Sequence, residues 1–198
     1  MGKWKECVLS DLGEIVGGST PSTKNESYYG GDIAWITPKD LSDNKSRFIK
    51  RGERNITIEG MNSCSTRLLP KHSILFTSRA PIGYVAINEN EVCTNQGFKS
   101  IIPNRHCHYL FLYYLLVYNR EKIESMGSGT TFNEVSGSVM KNIPVKVPVD
   151  FTEQQRIAKT LGSLDDKIEV NNAINHHLAS EIDSSPDNKS DKSMSRAI

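Results

Sequence analysis

The sequence predicts a mixed α/β (α+β) domain followed by a long coiled-coil-type α-helix. Short apolar or alternating stretches bounded by glycine and proline, which are typical of strands, occur among helical patterns across residues 1–150. Residues 152–182 instead repeat apolar positions three and four apart. A chain of 198 residues, 37% of them hydrophobic, can bury one ordinary domain and carry an appendage. We expect a domain at 1–150, a helix at 151–183 and a disordered serine-rich tail at 184–198.

The first hundred residues are predicted to be strands and loops after one short helix. Ser10 can cap that helix, which would carry Leu12, Ile15 and Val16 and end at the following glycine pair. The stretch DIAWIT predicts a strand centred on Trp35. Further strands are predicted at residues 72–78, 83–88 and 98–102.

The remaining residues predict a buried helix, an edge strand and the long helix. Residues 109–126 place tyrosines and leucines at three-and-four spacing, which indicates a largely buried helix. Residues 143–149 alternate, but two of their polar-side positions are prolines, which cannot donate to a ladder, so the stretch is predicted to be an edge strand or an extended connector. Thr152 and Gln155 match a T-x-x-Q capping box, so the long helix is expected to begin there.

The long helix carries a heptad seam. A helix over residues 152–182 would extend roughly 45 Å at 1.5 Å per residue, more than a domain of this size needs to cover itself. We therefore expect the seam to pack against a partner helix, with its two asparagines restricting register and oligomeric state. The alternative is that it folds back on the chain's own domain. The predicted seam residues are Ile157, Leu161, Leu164, Ile168, Asn171, Asn175, Leu178 and Ile182.

Composition excludes several classes of protein. The net charge of only +1 argues against indiscriminate coating of nucleic acid. No apolar run approaches the roughly 20 residues of a membrane span, and residues 1–10 lack the apolar centre of a signal peptide, so no membrane partner and a cytoplasmic location are expected. The four cysteines form no C-x-x-C pair, and the adjacent His106, Cys107 and His108 lack a second ligand pair, so no metal site is predicted.

Catalytic motifs are missing from the sequence. The stretch GSGTT at residues 127–131 lacks the spacing and the lysine of a phosphate-binding loop. We find no G-x-S-x-G, H-E-x-x-H or G-x-G-x-x-G motif, and the adjacent Asp165 and Asp166 lie on the long helix, where solvent-facing charge is ordinary. The sequence therefore predicts a non-catalytic protein with no catalytic residue and no bound metal.

Basic and polar loop residues are the candidate functional surface. Residues 45–54 contain five cations opposed by one glutamate, a pattern that fits either a solvated loop or contacts with DNA phosphates. Arg79 lies in the turn SRAPIG, from which its guanidinium could pair with a guanine edge. The predicted DNA-contact residues are Thr37, Lys39, Lys45, Arg47, Lys50, Arg51, Arg54, Ser78, Arg79, Thr130, Thr131 and Asn133.

Several stretches in order resemble one protein family. They are LSDLGEIVGGSTPS, YYGGDIAWIT, LPKHSILFTSRAPIGYVAI, TNQGFKSI, the tyrosine- and leucine-rich helix, IPVKVPV and EQQRIAKTLGSLDDKI. Each is weak singly, but their order and spacing across residues 4–182 make the match specific. The chain resembles the specificity subunit of type I restriction-modification systems.

The resemblance implies a role in restriction of foreign DNA. In that family a target recognition domain reads one part of a two-part sequence in double-stranded DNA, and a long spacer helix follows. Residues 143–182 would then be the connector and spacer helix, which packs antiparallel against a second such helix and docks the modification subunits. Those subunits would carry the S-adenosylmethionine and the methyl transfer, restriction subunits would complete the complex, and this chain would bind no cofactor itself.

One departure from the family pattern leaves alternatives open. A typical member has two recognition domains and two helices, whereas this sequence has one of each. The chain is then either a half-subunit that pairs with itself or with another half, or a truncated subunit. In the second case it could be an interaction protein that occupies modification subunits without recognising DNA.

Overall fold

The computed structural model describes residues 2–128 and 133–184, and within the last helix it describes no side chain at 176 or at 179–184. The chain divides into two compact units, Met1–Ala158 and Lys159–Ile198. The strands are β1 (Trp4–Val8), β2 (Gly13–Gly17), β3 (Tyr29–Ile36), β4 (Phe48–Ile49), β5 (Arg54–Ile56), β6 (Ile74–Phe76), β7 (Val85–Asn88), β8 (Cys93–Thr94), β9 (Lys99–Pro103) and β10 (Pro144–Pro148). The α-helices are α1 (Pro38–Asp43), α2 (Ile58–Asn62), α3 (Tyr109–Tyr118), α4 (Arg120–Ser125), α5 (Gly137–Lys141) and α6 (Phe151–Ser184), and short 3₁₀ helices cover Leu9–Asp11 and Glu26–Tyr28.

Within its described residues, the first unit contains three sheets, which confirms the predicted mixed α/β class. The largest has the order β2-β9-β6-β7-β4, the second is β5-β3-β8, and the third is the ribbon β1-β10. Most pairs are antiparallel, while β3 with β8 and β4 with β7 are parallel. The predicted strands around Trp35 and within 72–78, 83–88 and 98–102 are confirmed.

The large sheet is buried on both faces. Ile74 and Phe76 of β6 pack in one cluster with Leu112 and Leu116 of α3. Between them, Leu75 points to the opposite face and packs in a second cluster with residues of β3 and α1, including Ile36 and Leu41. This second cluster packs α1 and the end of β3 against the sheet. The loops that follow these two elements carry residues of the candidate site.

The short helix predicted from Leu12 to Val16 is wrong. A single 3₁₀ turn, Leu9–Asp11, is followed at once by β2, which contains Ile15 and Val16 and pairs along its length with β9. Gly13 permits this pairing, because a Cβ at that position would overlap the carbonyl of Ile102. Tertiary pairing therefore overrides a local pattern that also fits a helix.

The helix predicted over residues 109–126 is interrupted. Helix α3 ends at Tyr118 and α4 begins at Arg120, with Asn119 between them at φ −91° and ψ 7°. The Asn119 backbone N–H and side-chain amide both donate to the carbonyl of Leu115, at 3.1 and 2.7 Å, so the last turn of α3 keeps its hydrogen bond while the backbone at Asn119 leaves helical geometry. Both helices still bury apolar residues, as predicted.

The edge strand and the start of the long helix lie next to each other in the chain. In the described part of the chain, β10 pairs with β1 alone, with Val145 and Val147 buried, as predicted for an edge strand. The capping box predicted at Thr152 is wrong, because α6 begins at Phe151 and the Asp150 carboxylate accepts from the Thr152 N–H at 3.0 Å. The first two turns belong to the domain, where Ala158 is fully buried.

The second unit is described only as the remainder of α6. Most residues of the predicted seam are exposed: Leu161 by 37%, Leu164 by 51%, Ile168 by 56% and Leu178 by 53%. Asn171 and Asn175 are exposed as well. Ile157 is partly buried against the domain core, and the side chain of Ile182 lies outside the described residues. The long helix is confirmed, and its coiled-coil pairing stays a prediction. The tail predicted at 184–198 lies outside the described residues beyond Ser184.

Candidate nucleic-acid interface

The start of α1 holds the first two predicted DNA-contact residues. Thr37 precedes the helix, and both its N–H and its hydroxyl donate to one oxygen of Asp40, at 2.7 and 2.6 Å. The other Asp40 oxygen accepts from the Glu53 N–H at 2.7 Å. Lys39 is exposed and pairs with the Glu53 carboxylate at 3.0 Å, and the hydrogen bond and charge of Glu53 raise the Lys39 pKa. Asp40 therefore ties the helix start to the end of the basic segment.

The basic segment, residues 45–54, connects the edge strands of two sheets. Lys50 pairs with Glu89 at 3.1 Å, and the Arg47 guanidinium lies 5.1 Å from the centroid of the Phe48 ring. Lys45 and Arg51 are exposed and form no ion pair within residues 2–128 and 133–184. Within the described residues, these two cations are therefore available for a partner outside the chain.

Arg54 lies at the other end of the basic segment. It is the first residue of β5 and pairs in register with Trp35 of β3, so its backbone is fixed while its side chain is exposed. Its side chain lines an open groove together with Tyr29 and Asn55. Glu53 lines this groove and also the adjoining one that Lys39 and Arg51 line beside Asp40.

The turn SRAPIG, residues 78–83, begins inside the domain. Ser78 is completely buried, its N–H donates to the Gly97 carbonyl at 2.7 Å, and its own carbonyl accepts from the Val135 N–H at 2.8 Å. Its hydroxyl also donates to Gly97. This geometry favours a structural role for Ser78, which fixes the start of the turn. It does not favour the predicted direct contact of Ser78 with DNA.

Arg79 emerges from the turn and meets an acidic partner. Its Nε donates to Glu134 Oε2 at 2.8 Å, while Lys99 Nζ contacts Glu134 Oε1 at 3.1 Å. Burial raises the pKa of Glu134, but the hydrogen bonds and charges of Arg79 and Lys99 outweigh it, so the pKa lies below its ordinary value. Glu134 is thus a carboxylate held between two cations.

Gly97 connects the two groups of candidate residues. A Cβ on Gly97 would come within 2.9 Å of Pro38 Cγ, so the first residue of α1 lies directly against this glycine. The same glycine accepts from Ser78, as described above. The arginine turn therefore meets the start of α1 through Gly97, and α1 meets the basic segment through Asp40, so the three form one connected region although Pro38 and Ser78 are 40 positions apart in the chain.

The glycine-rich loop approaches the same turn. Ser128 and Glu134 form a two-way backbone bridge at 3.1 and 3.2 Å, and Asn133 is exposed beside Gly127. Arg120 adds a cation near the turn, with its guanidinium 5.7 Å from the centroid of the Tyr84 ring. The predicted contacts Thr130 and Thr131 lie outside the described residues.

The histidine–cysteine stretch at 106–108 has structural partners. Cys107 is buried, and burial raises the pKa of its thiol to about 12. The His108 N–H donates to the side chain of Gln154, which is itself buried. Among the described residues, no group of three or more histidine, cysteine or acidic side chains is placed to hold a metal ion.

A family model decides the identity of the fold. Residues 1–180 match the type I restriction modification DNA specificity domain. The chain belongs to this family. Among curated relatives, the MjaIX specificity subunit of Methanocaldococcus jannaschii is 49% identical over 168 residues, which is 84% of this chain and 39% of the relative. The EcoR124I/EcoR124II specificity subunit of Escherichia coli is 30% identical, over 91% of this chain and 44% of the relative.

Solved structures share the fold of this specificity domain. A chain from a type I R-M system superposes with a TM-score of 0.71 at 19% identity, covering 91% of this chain and 43% of that chain. The HsdS subunit from Thermoanaerobacter tengcongensis gives a TM-score of 0.63, also at 19% identity, over 84% and 38%. The specificity domain described here thus spans about two fifths of the length of its relatives.

Sequence reasoning about this specificity domain missed three charged residues of the site. Glu134 pairs with Arg79, Lys99 contacts the other oxygen of Glu134, and Arg120 lies beside the same turn. No local pattern marks them, because Glu134 lies 55 positions from Arg79 and meets it only through the fold.

No described helix is long and apolar enough to cross a membrane.

Proposed function

We propose that this chain is a sequence-specific DNA-recognition subunit of a type I restriction-modification complex in the cytoplasm. Residues 1–150 would read one part of a bipartite target in double-stranded DNA. Residues 151–183 would form the spacer helix, with docking of modification and restriction subunits on the assembled chain. The chain itself would be non-catalytic and bind no cofactor, while the modification subunit would supply S-adenosylmethionine and the methyl transfer.

One observation carries this proposal beyond family membership. Gly97 contacts both the start of α1 and the arginine turn, and Asp40 joins α1 to the basic segment, so the elements that carry the exposed cations form one connected region. Such a region suits the two kinds of contact that specific DNA recognition requires. Lysines and arginines neutralise phosphates and set the register, while an arginine fork on a rigid turn reads a base edge.

Exposure along α6 supports a helix-pairing role. A helix that leaves Leu164, Ile168 and Leu178 about half exposed can bury them against a second helix of the same kind. That helix would belong to a second copy or to a further part of the same subunit. Two copies related by a twofold axis would read an interrupted palindrome.

A methylome tests the proposal. The chain is expressed with the modification subunit of its own operon in a host without DNA methylation, and native DNA is sequenced for modified adenine. We expect one bipartite motif, palindromic if two copies assemble. An intact complex that modifies no motif would contradict recognition and favour the interaction-protein alternative.

The seam has its own test. Replacing Leu164 and Ile168 with aspartate should weaken self-association in sedimentation equilibrium, because two charges would enter the apolar interface. The matched control replaces Lys167 and Glu169 with alanine, which alters the same helical turns away from the seam positions. Equal association of wild type and the seam variant would overturn pairing of two copies through α6.

A further inference from the structure

We propose that Glu134 is a positioning residue that orients the guanidinium of Arg79 to read one guanine, with Lys99 as its anchor. The inference rests on the proposed DNA recognition and adds the base class and the residues that fix the reading geometry. No sequence pattern singles out Glu134 or Lys99. One nitrogen of the Arg79 guanidinium is engaged by Glu134, and the other two remain available to a base.

The contact with Glu134 uses the inner nitrogen of the guanidinium. Arg79 Nε donates to Glu134 Oε2 at 2.8 Å, the only hydrogen bond of this guanidinium among the residues that the structure describes. The two terminal nitrogens are left with their N–H groups, and the side chain is 46% exposed. Two parallel N–H donors of this kind match the O6 and N7 acceptors of guanine in the major groove.

Lys99 holds the carboxylate of Glu134, which in turn is hydrogen-bonded to Arg79. Its Nζ contacts the second oxygen of Glu134 at 3.1 Å, and its side chain is only 16% exposed. Lys99 lies on β9 in the large sheet, so it connects the carboxylate to a rigid element. Both oxygens of Glu134 are thereby engaged, which limits rotation of the carboxylate and of the guanidinium bonded to it.

Backbone contacts restrict the same residues. Glu134 and Arg79 form an antiparallel bridge, and the Val135 N–H donates to the Ser78 carbonyl at 2.8 Å. On its other side, Glu134 exchanges two backbone hydrogen bonds with Ser128. A side chain held in its bound orientation loses less conformational entropy when it contacts a base, so this arrangement favours base reading.

The charge balance is compatible with DNA. A lone carboxylate beside a reading arginine would repel phosphates, but Lys99 and Arg79 together leave the three-residue group with a net charge of about +1. Lys99 therefore serves two purposes, since it anchors Glu134 and offsets its charge. A purely structural ion pair would instead contribute equally to binding of every DNA sequence.

The test measures discrimination rather than affinity alone. Using the complex of this chain with its modification subunit and the motif found by the methylome, binding is measured to duplexes that differ at one base pair at a time. Glu134→Ala should reduce discrimination at one G·C position by about tenfold or more, the scale of one bidentate contact, and leave other positions unchanged. Arg79→Ala should affect the same position, and the double variant should be no worse than Arg79→Ala.

Two further variants keep the outcome interpretable. Glu134→Gln retains an oxygen acceptor for Arg79 Nε and should keep more discrimination than Glu134→Ala. Lys99→Met removes the anchor without touching the reading pair and should weaken discrimination at the same position, which covers the case in which Glu134→Ala fails to fold. Uniform loss at all positions, or unchanged discrimination, would overturn the inference. Absence of discrimination in the wild type would instead overturn the proposed function.

Discussion

At the scale of single residues, Gln154 joins three parts of the first unit. Its side chain accepts from the His108 N–H at 2.9 Å and donates to the carbonyls of His106 and Pro148 at 3.2 and 3.3 Å. It is 97% buried, so water cannot replace these partners. We expect Gln154→Ala to lower the free energy of unfolding by about 1–3 kcal/mol, measured in urea. Gln155→Ala, at the exposed neighbouring position, should cost little, and equal effects of the two variants would contradict this role.

Two histidines make stability depend on pH. Burial lowers the pKa of His72, which stacks on Tyr109 and lies near Lys71, and burial also lowers the pKa of His108, with a smaller contribution from His72. Because the folded state resists protonation, stability is greatest above their ordinary pKa of about 6.5 and falls as the pH drops through that value toward the folded pKa. Urea unfolding at a series of pH values between about 7.5 and 5 measures the decline.

A single variant separates this effect from other titrations. His72→Asn removes one of the two groups, and asparagine tolerates the positive φ of 68° at this position. The variant should show a shallower decline over the same range. The carboxyls of Glu14, Glu134 and Glu153 have a pKa below the ordinary value, so their contributions are lost only at lower pH. An unchanged pH dependence in His72→Asn would rule out this histidine as the cause.

At the scale of elements, Asp40 connects α1 to the basic segment. It accepts from the N–H and hydroxyl of Thr37 and from the N–H of Glu53. We expect Asp40→Ala to destabilise the fold by about 0.5–2 kcal/mol through the lost cap, and to weaken DNA binding because the loop that carries Arg51 loosens. Asp43→Ala on the same helix is the matched control, since Asp43 is exposed and caps nothing. Unfolding in urea and binding titrations measure both effects, and equal losses in the two variants would argue against the connection.

The elements also show what local patterns can and cannot predict. The strand around Trp35 and the edge strand with its prolines follow from residue types that restrict the backbone directly. The stretch containing Ile15 and Val16 failed as a helix because its partner β9 lies more than eighty residues away. Asn119 separates α3 from α4 although its N–H still donates to the carbonyl of Leu115, and apolar periodicity does not encode this break.

The candidate site shows the same division. Arg79 and the cations of residues 45–54 could be chosen because loops rich in basic residues are common at DNA interfaces. Burial of Ser78 and the pairing of Arg79 with Glu134 could not, since both depend on contacts across the fold. Sequence therefore predicts the type of surface, while the contacts decide which of its side chains are available.

At the scale of the whole molecule, a small net charge makes the location of each cation decisive. With +1 overall, long-range attraction to DNA is weak, and binding depends on the cations that reach phosphates. Lys39 and Lys50 are already paired with carboxylates, and Arg47 lies over Phe48. Lys45, Arg51 and Arg54 are exposed and form no ion pair among the described residues, so they are the best candidates for phosphate contacts.

Salt dependence tests this assignment. Replacing Lys45 and Arg51 with alanine should reduce the slope of log K against log salt by about 1.8, at about 0.9 for each lost phosphate contact, with equal losses for target and unrelated DNA. The matched control, Lys5→Ala with Lys146→Ala, removes the same charge from exposed positions on the separate β1-β10 ribbon. Its slope should stay close to that of the wild type. Both double variants remove the same total charge, so only a local contact with DNA can make their slopes differ. If both flatten the slope equally, net charge governs DNA binding and the basic segment has no special role.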